Sequence, residues 1–524
     1  MIYMKLKHIR EVLEEIYSCA RCQECRESIK IASTGKNIYK VCPIRELLGF
    51  DAYTARGRIL NIQAVIEGRL QPDEKFAEYM YTCLECGLCR EVCIAKMGKG
   101  VDFVSIMEAL RKDLYENGLI MDSHRVVLKS LKQNYNPYKQ LHEDRLEWLE
   151  DLPENISVKI GERAKYAYFV GCTATHVTTE IAQATVEVLS KLGVDFTLLE
   201  DEWCCGFAAM IFGGEKEIKD FISHNLEQVK KTGAEYVITS CAGCYRVFKE
   251  YYPKYFKLDF KIIHSAELLD SALKENRISF TSPKEKLRVT YHDPCHLGRH
   301  SQVYEAPRNV IKAIPGVEFV EPLRTREYTI CCGGSIISSH PDLSLEVAKY
   351  RLKDFDEVKP DVLLSCCPFC YRNLSYGIKL EEKPYKMVDL IVFVKDLIKI
   401  EKPAEVVVDV SKKLAEYLVA HPEIFSELKK GSVLNYHVSG KVFHVERLKD
   451  TIKVKFGEHP KADIDLYVSE KAVEALTSAK NKEEYMKTFK TMYKQKELSF
   501  KPRANLFTLA RKGYVSWAKK AGVI

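Results

Sequence analysis

Apolar side chains change their period along this chain, and each change marks a change of architecture. Residues 4–17 and 104–114 repeat apolar positions at roughly helical spacing, which predicts a mostly helical N-terminal region. Residues 165–170 then form a short apolar run, residues 178–192 an amphipathic stretch that stops at Gly193, and residues 195–199 another apolar run. Glycine at a helix end supplies the left-handed turn that other residues resist. Tyr236–Thr239, Leu287–Tyr291 and residues 362–364 read as further buried strands, and short apolar runs separated by helices predict parallel sheet. Residues 386–416 read as helical, with Leu390–Val394 as an apolar core segment. Residues 434–438, 441–446, 451–456 and Ile464–Val468 read as antiparallel strands followed by helices. Residues 116–163 are charged and aromatic, broken at residues 134–138 and at Pro153, and read as a linker packed across a junction. Its tyrosines and Trp148 read as packing residues.

The chain has 524 residues, enough for three or four domains with real cores. Its formal charge is only +7, so nucleic acid is not an expected partner. Residues 1–10 are polar and basic without the apolar core of a secretory signal, and no apolar run is long enough to cross a bilayer. A cytoplasmic protein is expected, seated on the inner face of a membrane only through a partner. In that compartment 19 cysteines read as metal ligands rather than disulfides.

The cysteines fall into patterns. Cys172, Cys204-Cys205-Gly206 and Cys241-Ala-Gly-Cys244 recur as Cys295, Cys331-Cys332-Gly333 and Cys367-Pro-Phe-Cys370, offset by 123, 127 and 126 residues. One unit has been duplicated. Adjacent cysteines can face one centre only in a turn, which the following glycine admits. Soft thiolates select iron–sulfur or zinc, and five thiols per copy suit iron–sulfur better, since four-coordinate zinc would leave one unused. Cysteines acting as small buried hydrophobes would explain single positions but not a repeated pattern. Upstream, Cys83, Cys86, Cys89 and Cys93 have the C-x2-C-x2-C-x3-C spacing of a ferredoxin, whose fourth cysteine serves the other cluster. On that logic Cys19, Cys22, Cys25 and Cys93 hold one cubane, and Cys42, Cys83, Cys86 and Cys89 the other. Sixteen residues separate Cys25 from Cys42 where three are usual, and Ile94 stands where proline is usual.

Residues 10–395 resemble the catalytic subunit of heterodisulfide reductases, and are similar to the iron–sulfur subunits of glycolate, lactate and glycerol-3-phosphate oxidation systems. The resemblance rests on Gly171-Cys172-Thr173, the two CCG turns, Asp293-Pro-Cys295-His296-Leu-Gly298 and the two Cys-x-x-Cys pairs. It implies two cubane and two noncubane 4Fe–4S clusters. One noncubane set would be Cys172, Cys204, Cys205, Cys241 and Cys244, the other Cys295, Cys331, Cys332, Cys367 and Cys370. It further implies cleavage of a disulfide between them, with Cys205 and Cys332 as catalytic cysteines. His292 and His296 flank Cys295 and are candidates for proton supply or for hydrogen bonds within the site. Cys366 is an extra thiol without an assigned role. Residues 430–524 resemble a sterol-carrier-protein-2 type domain, on the run from Asp450 to Asp463, which implies a lipid or acyl-CoA ligand or a role in contacts.

The expected fold is therefore multidomain: a mostly α-helical ferredoxin-type domain over 1–115, a linker over 116–163, duplicated α/β repeats with parallel sheets over 164–284 and 285–415, and an α+β domain over 425–524. Two functions stand open. One is an iron–sulfur oxidoreductase that reduces or forms a disulfide. The other is an electron-transfer subunit linking a flavin dehydrogenase, of hydroxy-acid or acyl-CoA type, to a quinone or membrane cytochrome. The expected partner is a flavoprotein or ferredoxin-type carrier.

Overall fold

The computed structural model describes residues 4–29, 40–401 and 409–524, and the chain divides into two units, Met1–Glu401 and Lys402–Ile524. In the first unit, helices Ala55–Ile66, Glu74–Tyr81 and Phe103–Glu116 bury Ile59, Ile62, Met80, Ile106, Met107 and Leu110 against one another. Thr54, Asp73 and Asp102 cap them by accepting backbone N–H groups of their first turns. The first helical turn begins at Ile9, later than the apolar spacing from residue 4 suggests. Residues 7–9 give their backbone N–H groups to the buried carboxylate of Asp113 at 2.9 Å, which holds the entering chain in a non-helical path.

The duplicated region forms two parallel sheets. Strands β1 (Lys159–Ile160), β2 (Tyr166–Tyr168), β3 (Phe196–Leu198), β4 (Tyr236–Thr239) and β5 (Lys261–His264) lie in the order β1-β3-β2-β4-β5. After β6 (Ile278–Phe280) come β7 (Leu287–Tyr291), β8 (Val317–Phe319), β9 (Val362–Ser365) and β10 (Lys386–Asp389), in the order β10-β9-β7-β8. The order β3-β2-β4-β5 thus recurs as β8-β7-β9-β10, strand for strand, and every pairing in both sheets is parallel. Helices cover both faces, so Phe196–Leu198 and Val362–Ser365 are buried at every residue.

Two stretches differ from their expected form. Residues 116–163 are part of the packed unit: helix Asp122–Asn134 and the 3-10 turn Glu143–Asp151 bury Leu128, Leu131 and Trp148 in the repeat's core, and Arg145 donates to Leu199 O at 3.0 Å. Residues 386–401 are not one helix. They run as β10, helix Leu390–Val394, and β11 (Ile398–Ile400), which pairs antiparallel with β6. Residues 402–408 lie outside the described residues, and helix Val410–Ala420 belongs to the second unit.

That unit has one mixed sheet: β12 (Val433–Val438), β13 (Lys441–Arg447), β14 (Ile452–Phe456), β15 (Ile464–Val468) and β16 (Leu498–Pro502), ordered β14-β13-β12-β15-β16. β15 is parallel to β12, not antiparallel, because residues 457–463 cross to the far side of β12 before β15 begins. Its own core includes Tyr436, Phe443, Tyr485, Phe489 and Trp517. Among the described residues no helix is long and apolar enough to cross a membrane.

Candidate metal centres

The eight N-terminal cysteines surround two adjoining cavities. Cys19, Cys22, Cys25 and Cys93 line the outer one, and Cys42, Cys83, Cys86 and Cys89 the inner one, with Cys89 also in the wall of the outer. Cys42 precedes Pro43 at the start of helix Pro43–Leu48, whose Pro43 and Ile44 are buried, so that short helix carries Cys42 to the inner cavity. Backbone N–H groups point at the sulfurs: Arg56 donates to Cys25 Sγ at 3.4 Å, Val101 to Cys93 Sγ at 3.4 Å and Glu85 to Cys83 Sγ at 3.5 Å.

In each repeat two adjacent parallel strands deliver the ligands at their carboxyl ends, where a crevice opens. β2 leads to Gly171-Cys172 and β4 to Cys241; β7 leads to Cys295 and β9 to Cys367. The CCG turns complete each group. Gly206 and Gly333 have φ of +95° and +89°, the left-handed region that reverses the chain directly after the paired cysteines. Cys172 and Cys204 sulfurs lie 3.8 Å apart, those of Cys295 and Cys331 3.9 Å, and those of Cys332 and Cys370 3.2 Å.

The two sets are joined. Sulfur contacts run from Cys172 through Cys204, Cys205, Cys244 and Cys241 to Cys367, then through Cys370, Cys332 and Cys331 to Cys295. The far end meets the inner N-terminal cavity, because Cys295 and Cys331 share an apolar cluster with Cys42 and Cys86. Eighteen thiols therefore form one succession: outer cavity, inner cavity, second repeat, first repeat. Cys366 stands outside it, its thiol against the Tyr291 hydroxyl and pushed upward in pKa by burial.

This donor set fits iron–sulfur clusters. None of the 19 cysteines is in a disulfide, and nine of the ten repeat cysteines are buried, with Cys172 half-buried. Burial pushes the Cys42 thiol up to about 12 and Cys25 to about 11, so these two thiols would stay protonated when bare, whereas hydrogen bonds from neighbouring thiols and backbone hold Cys204, Cys241 and Cys332 below the usual range. A bound metal deprotonates its thiol ligands outright.

A cavity of ≈ 210 Å³ lies between the two repeat sets. Phe207 and Phe369, next to the CCG turn of one repeat and within the Cys-x-x-Cys pair of the other, wall it with ring centres 6.0 Å apart. Gly334 opens it toward Cys332, whose sulfur would lie 3.5 Å from a Cβ at that glycine. Tyr138, Ser335 and Arg372 supply polarity; Arg372 Nε is buried without a hydrogen-bond partner, and its guanidinium lies 5.8 Å from the Tyr138 ring centre. Tyr138 and Arg372 were not expected here. Arg372 stands two residues after Cys370, the one sequence signal that could have marked it.

The two candidate histidines differ. His292 is fully buried, accepts from Arg351 Nε through Nδ1 at 3.4 Å, and places a ring nitrogen within 4.8 Å of the Cys332 and Cys370 sulfurs. Burial and the Arg351 charge lower its pKa to about 3. His296 lies against Cys295, with Nδ1 3.4 Å from Arg246 and its ring between Phe207 and His300.

Two ferredoxin-type cavities feeding a duplicated cysteine-rich α/β domain define an iron–sulfur oxidoreductase with several cluster sites. Family comparison gives the same division: a 4Fe-4S dicluster domain matches residues 15–97, and a cysteine-rich (CCG) domain matches residues 166–249 and 289–375. A subunit of the dihydromethanophenazine:CoB–CoM heterodisulfide reductase of Methanosarcina acetivorans is 36% identical over 397 residues, covering 73% of this chain and 94% of that protein. Its counterpart in Methanosarcina mazei is 38% identical over 380 residues, covering 70% and 90%. The chain belongs to this heterodisulfide reductase family. An EtfAB:quinone oxidoreductase of Syntrophomonas wolfei is more distant, 27% identical over 409 residues, covering 71% of this chain and 56% of its own.

Proposed function

We propose that this oxidoreductase reduces a disulfide in the cavity between the two repeat sets. The supporting observation is the unbroken succession of thiol groups, which passes from one repeat to the other at Cys241 and Cys367 and comes nearest that cavity at Cys332, behind Gly334. Cysteines 19, 22, 25 and 93 would hold the outer cubane, 42, 83, 86 and 89 the inner one, and each repeat's five a noncubane cluster. The clusters would supply electrons singly. The balance is RS–SR′ plus two electrons and two protons, giving RSH and R′SH. The residues of the chain set the rest of the chemistry. Phe207 and Phe369 exclude water from the bond being cleaved. Arg372 and Tyr138 hold a polar end of the substrate, and His292 orients charge beside Cys332.

The test uses anaerobic, iron-loaded protein with a reduced viologen and an added disulfide. Wild type releases dithiol, while Cys205→Ala and Cys332→Ala do not. Wild type that releases none refutes this reading.

The EtfAB:quinone oxidoreductase likeness supports a second reading, in which a flavoprotein of hydroxy-acid or acyl-CoA type delivers electrons that leave to a quinone or a membrane cytochrome. In either reading the protein works in the cytoplasm, held at the membrane's inner face by its partner. Its second unit, of sterol-carrier-protein-2 type, would take a lipid or acyl-CoA or serve in contacts. Leu506 and Phe507, 76% and 78% exposed between Arg503 and Arg511, are the contact surface that this last role would use.

A further inference from the structure

Six arginines have side chains fully withdrawn from water: Arg58, Arg111, Arg246, Arg299, Arg308 and Arg351. Four of them face carboxylates. Arg111 pairs with Glu85 at 2.8 Å, Arg246 with Glu108 at 2.7 Å, Arg308 with Asp293 at 2.7 Å, and Arg351 with Asp354. Arg58 and Arg299 have no ion pair with a carboxylate among the described residues.

What those two have instead is neutral. Arg58 donates to the carbonyls of Tyr53 at 3.3 Å and Tyr79 at 2.6 Å and to Thr82 Oγ1 at 2.7 Å. Arg299 donates to Cys86 O at 2.7 Å, Thr329 O at 2.6 Å and Glu327 O at 3.4 Å, and its Nη2 is buried with no partner at all. Carbonyls satisfy N–H groups but leave the charge uncompensated, and an unpaired buried charge is strongly destabilising. Arg58 also lies 4.9 Å from the Tyr79 ring centre and 5.7 Å from that of Tyr53, whose faces offset part of its charge; the groups able to take the full compensating charge are sulfurs. Arg58 faces Cys42 and Cys83; Arg299 faces Cys86, Cys295 and Cys331.

Arg58 thus lines the inner N-terminal cavity, and Arg299, from the second repeat, reaches the wall of that cavity at Cys86. The outer cavity has Arg56 in its wall, and Arg21 acts on Cys19; Arg56 buries its Nε without a partner, but the side chain as a whole is half-exposed and Arg21 is exposed, so water screens much of both charges. The first repeat shows that a cation is not a requirement of the repeat itself. Arg299 follows Cys295 by four residues, and the position four residues after Cys172 is His176.

We propose that Arg58 and Arg299 are the built-in counter-ions of the inner ferredoxin-type centre and that Arg299, shared with the second repeat, directs electrons inward by holding the inner centre's reduction potential above the outer one's. Adding an electron to a cluster adds one negative charge beside the guanidinium, which favours the reduced form. The arginines act by position and charge and touch no substrate. This proposal rests on the reading of the eight N-terminal cysteines as two cubane sites.

The experiment is an anaerobic redox titration of full-length, iron-loaded protein followed by electron paramagnetic resonance, with Cys22→Ser identifying the outer signal. In wild type the inner centre takes its electron at the higher potential. Arg299→Gln shifts the inner midpoint to a more negative value and leaves the outer one in place; Arg299→Lys restores most of the shift. Equal or reversed potentials in wild type overturn the proposal, and that measurement decides even where Arg299→Gln fails to load its cluster. An iron-loaded Arg299→Gln with an unmoved inner midpoint overturns it too, as does Arg299→Lys shifting as far as Arg299→Gln. Those results leave the cluster assignment standing. Protein with no iron at the N-terminal cysteines overturns both.

Discussion

At the scale of single residues, the two CCG glycines look alike in sequence and are not alike in space. A Cβ on Gly333 would lie 2.5 Å from Ser344 O, whereas the nearest atom to one on Gly206 is at 3.8 Å. Both positions hold positive φ, so either substitution costs about 1 kcal/mol in backbone conformation. Gly333→Ala must also displace backbone, at a further cost of about 1–3 kcal/mol. Unfolding midpoints of the two variants are therefore expected to differ, Gly333→Ala being the less stable; equal losses would show that the second turn yields freely. The cysteines were legible because their spacing is a direct image of cluster geometry. Arg58, Arg299 and Tyr138 were not, since each is far in sequence from most of the groups it meets and only the packed fold brings them together.

At the scale of elements, helix Asp122–Asn134 seats its buried His124 against Phe212, ring centres 4.0 Å apart, and against the edge of Tyr81. Burial, assisted by the Arg111 charge, lowers its pKa to about 3. In the unfolded chain a histidine takes up a proton near pH 6.5. The neutral ring's contribution is thus fully present above about pH 6.5 and is lost as pH falls toward 3, by about 1.4 kcal/mol per unit. His124→Phe keeps the ring packing and removes the proton, so its stability should fall less steeply than wild type over that interval. Parallel slopes would contradict the assignment. This helix was hidden in the sequence because residues 116–163 are rich in charge, and its apolar stripe is only a few residues wide. β16 was hidden for a similar reason: Leu498–Pro502 lies in a basic tail and contains a proline, which only an edge strand tolerates. The parallel strands of the repeats were legible, since burial on both faces leaves continuous apolar runs.

At the scale of the whole molecule, thiol groups run in one succession through Met1–Glu401, and the second unit has a separate core and no cysteine. A chain ended at Glu401 is expected to hold as much iron per molecule as the full chain; a loss of iron would mean that the second unit helps build the sites. The duplication was readable as a repeat of cysteines, but the order of the four groups was not, because nothing in the spacing says which repeat faces the ferredoxin-type cavities. Contact of Cys295 and Cys331 with Cys86 fixes it: the second repeat is nearer, the first is terminal. The most direct test is elemental analysis of anaerobically isolated full-length protein for iron, acid-labile sulfide and zinc. Four 4Fe–4S centres predict about 16 iron atoms per chain with matching sulfide and no zinc. Zinc at the repeats, or about 8 iron atoms confined to the N-terminal cysteines, would contradict the account.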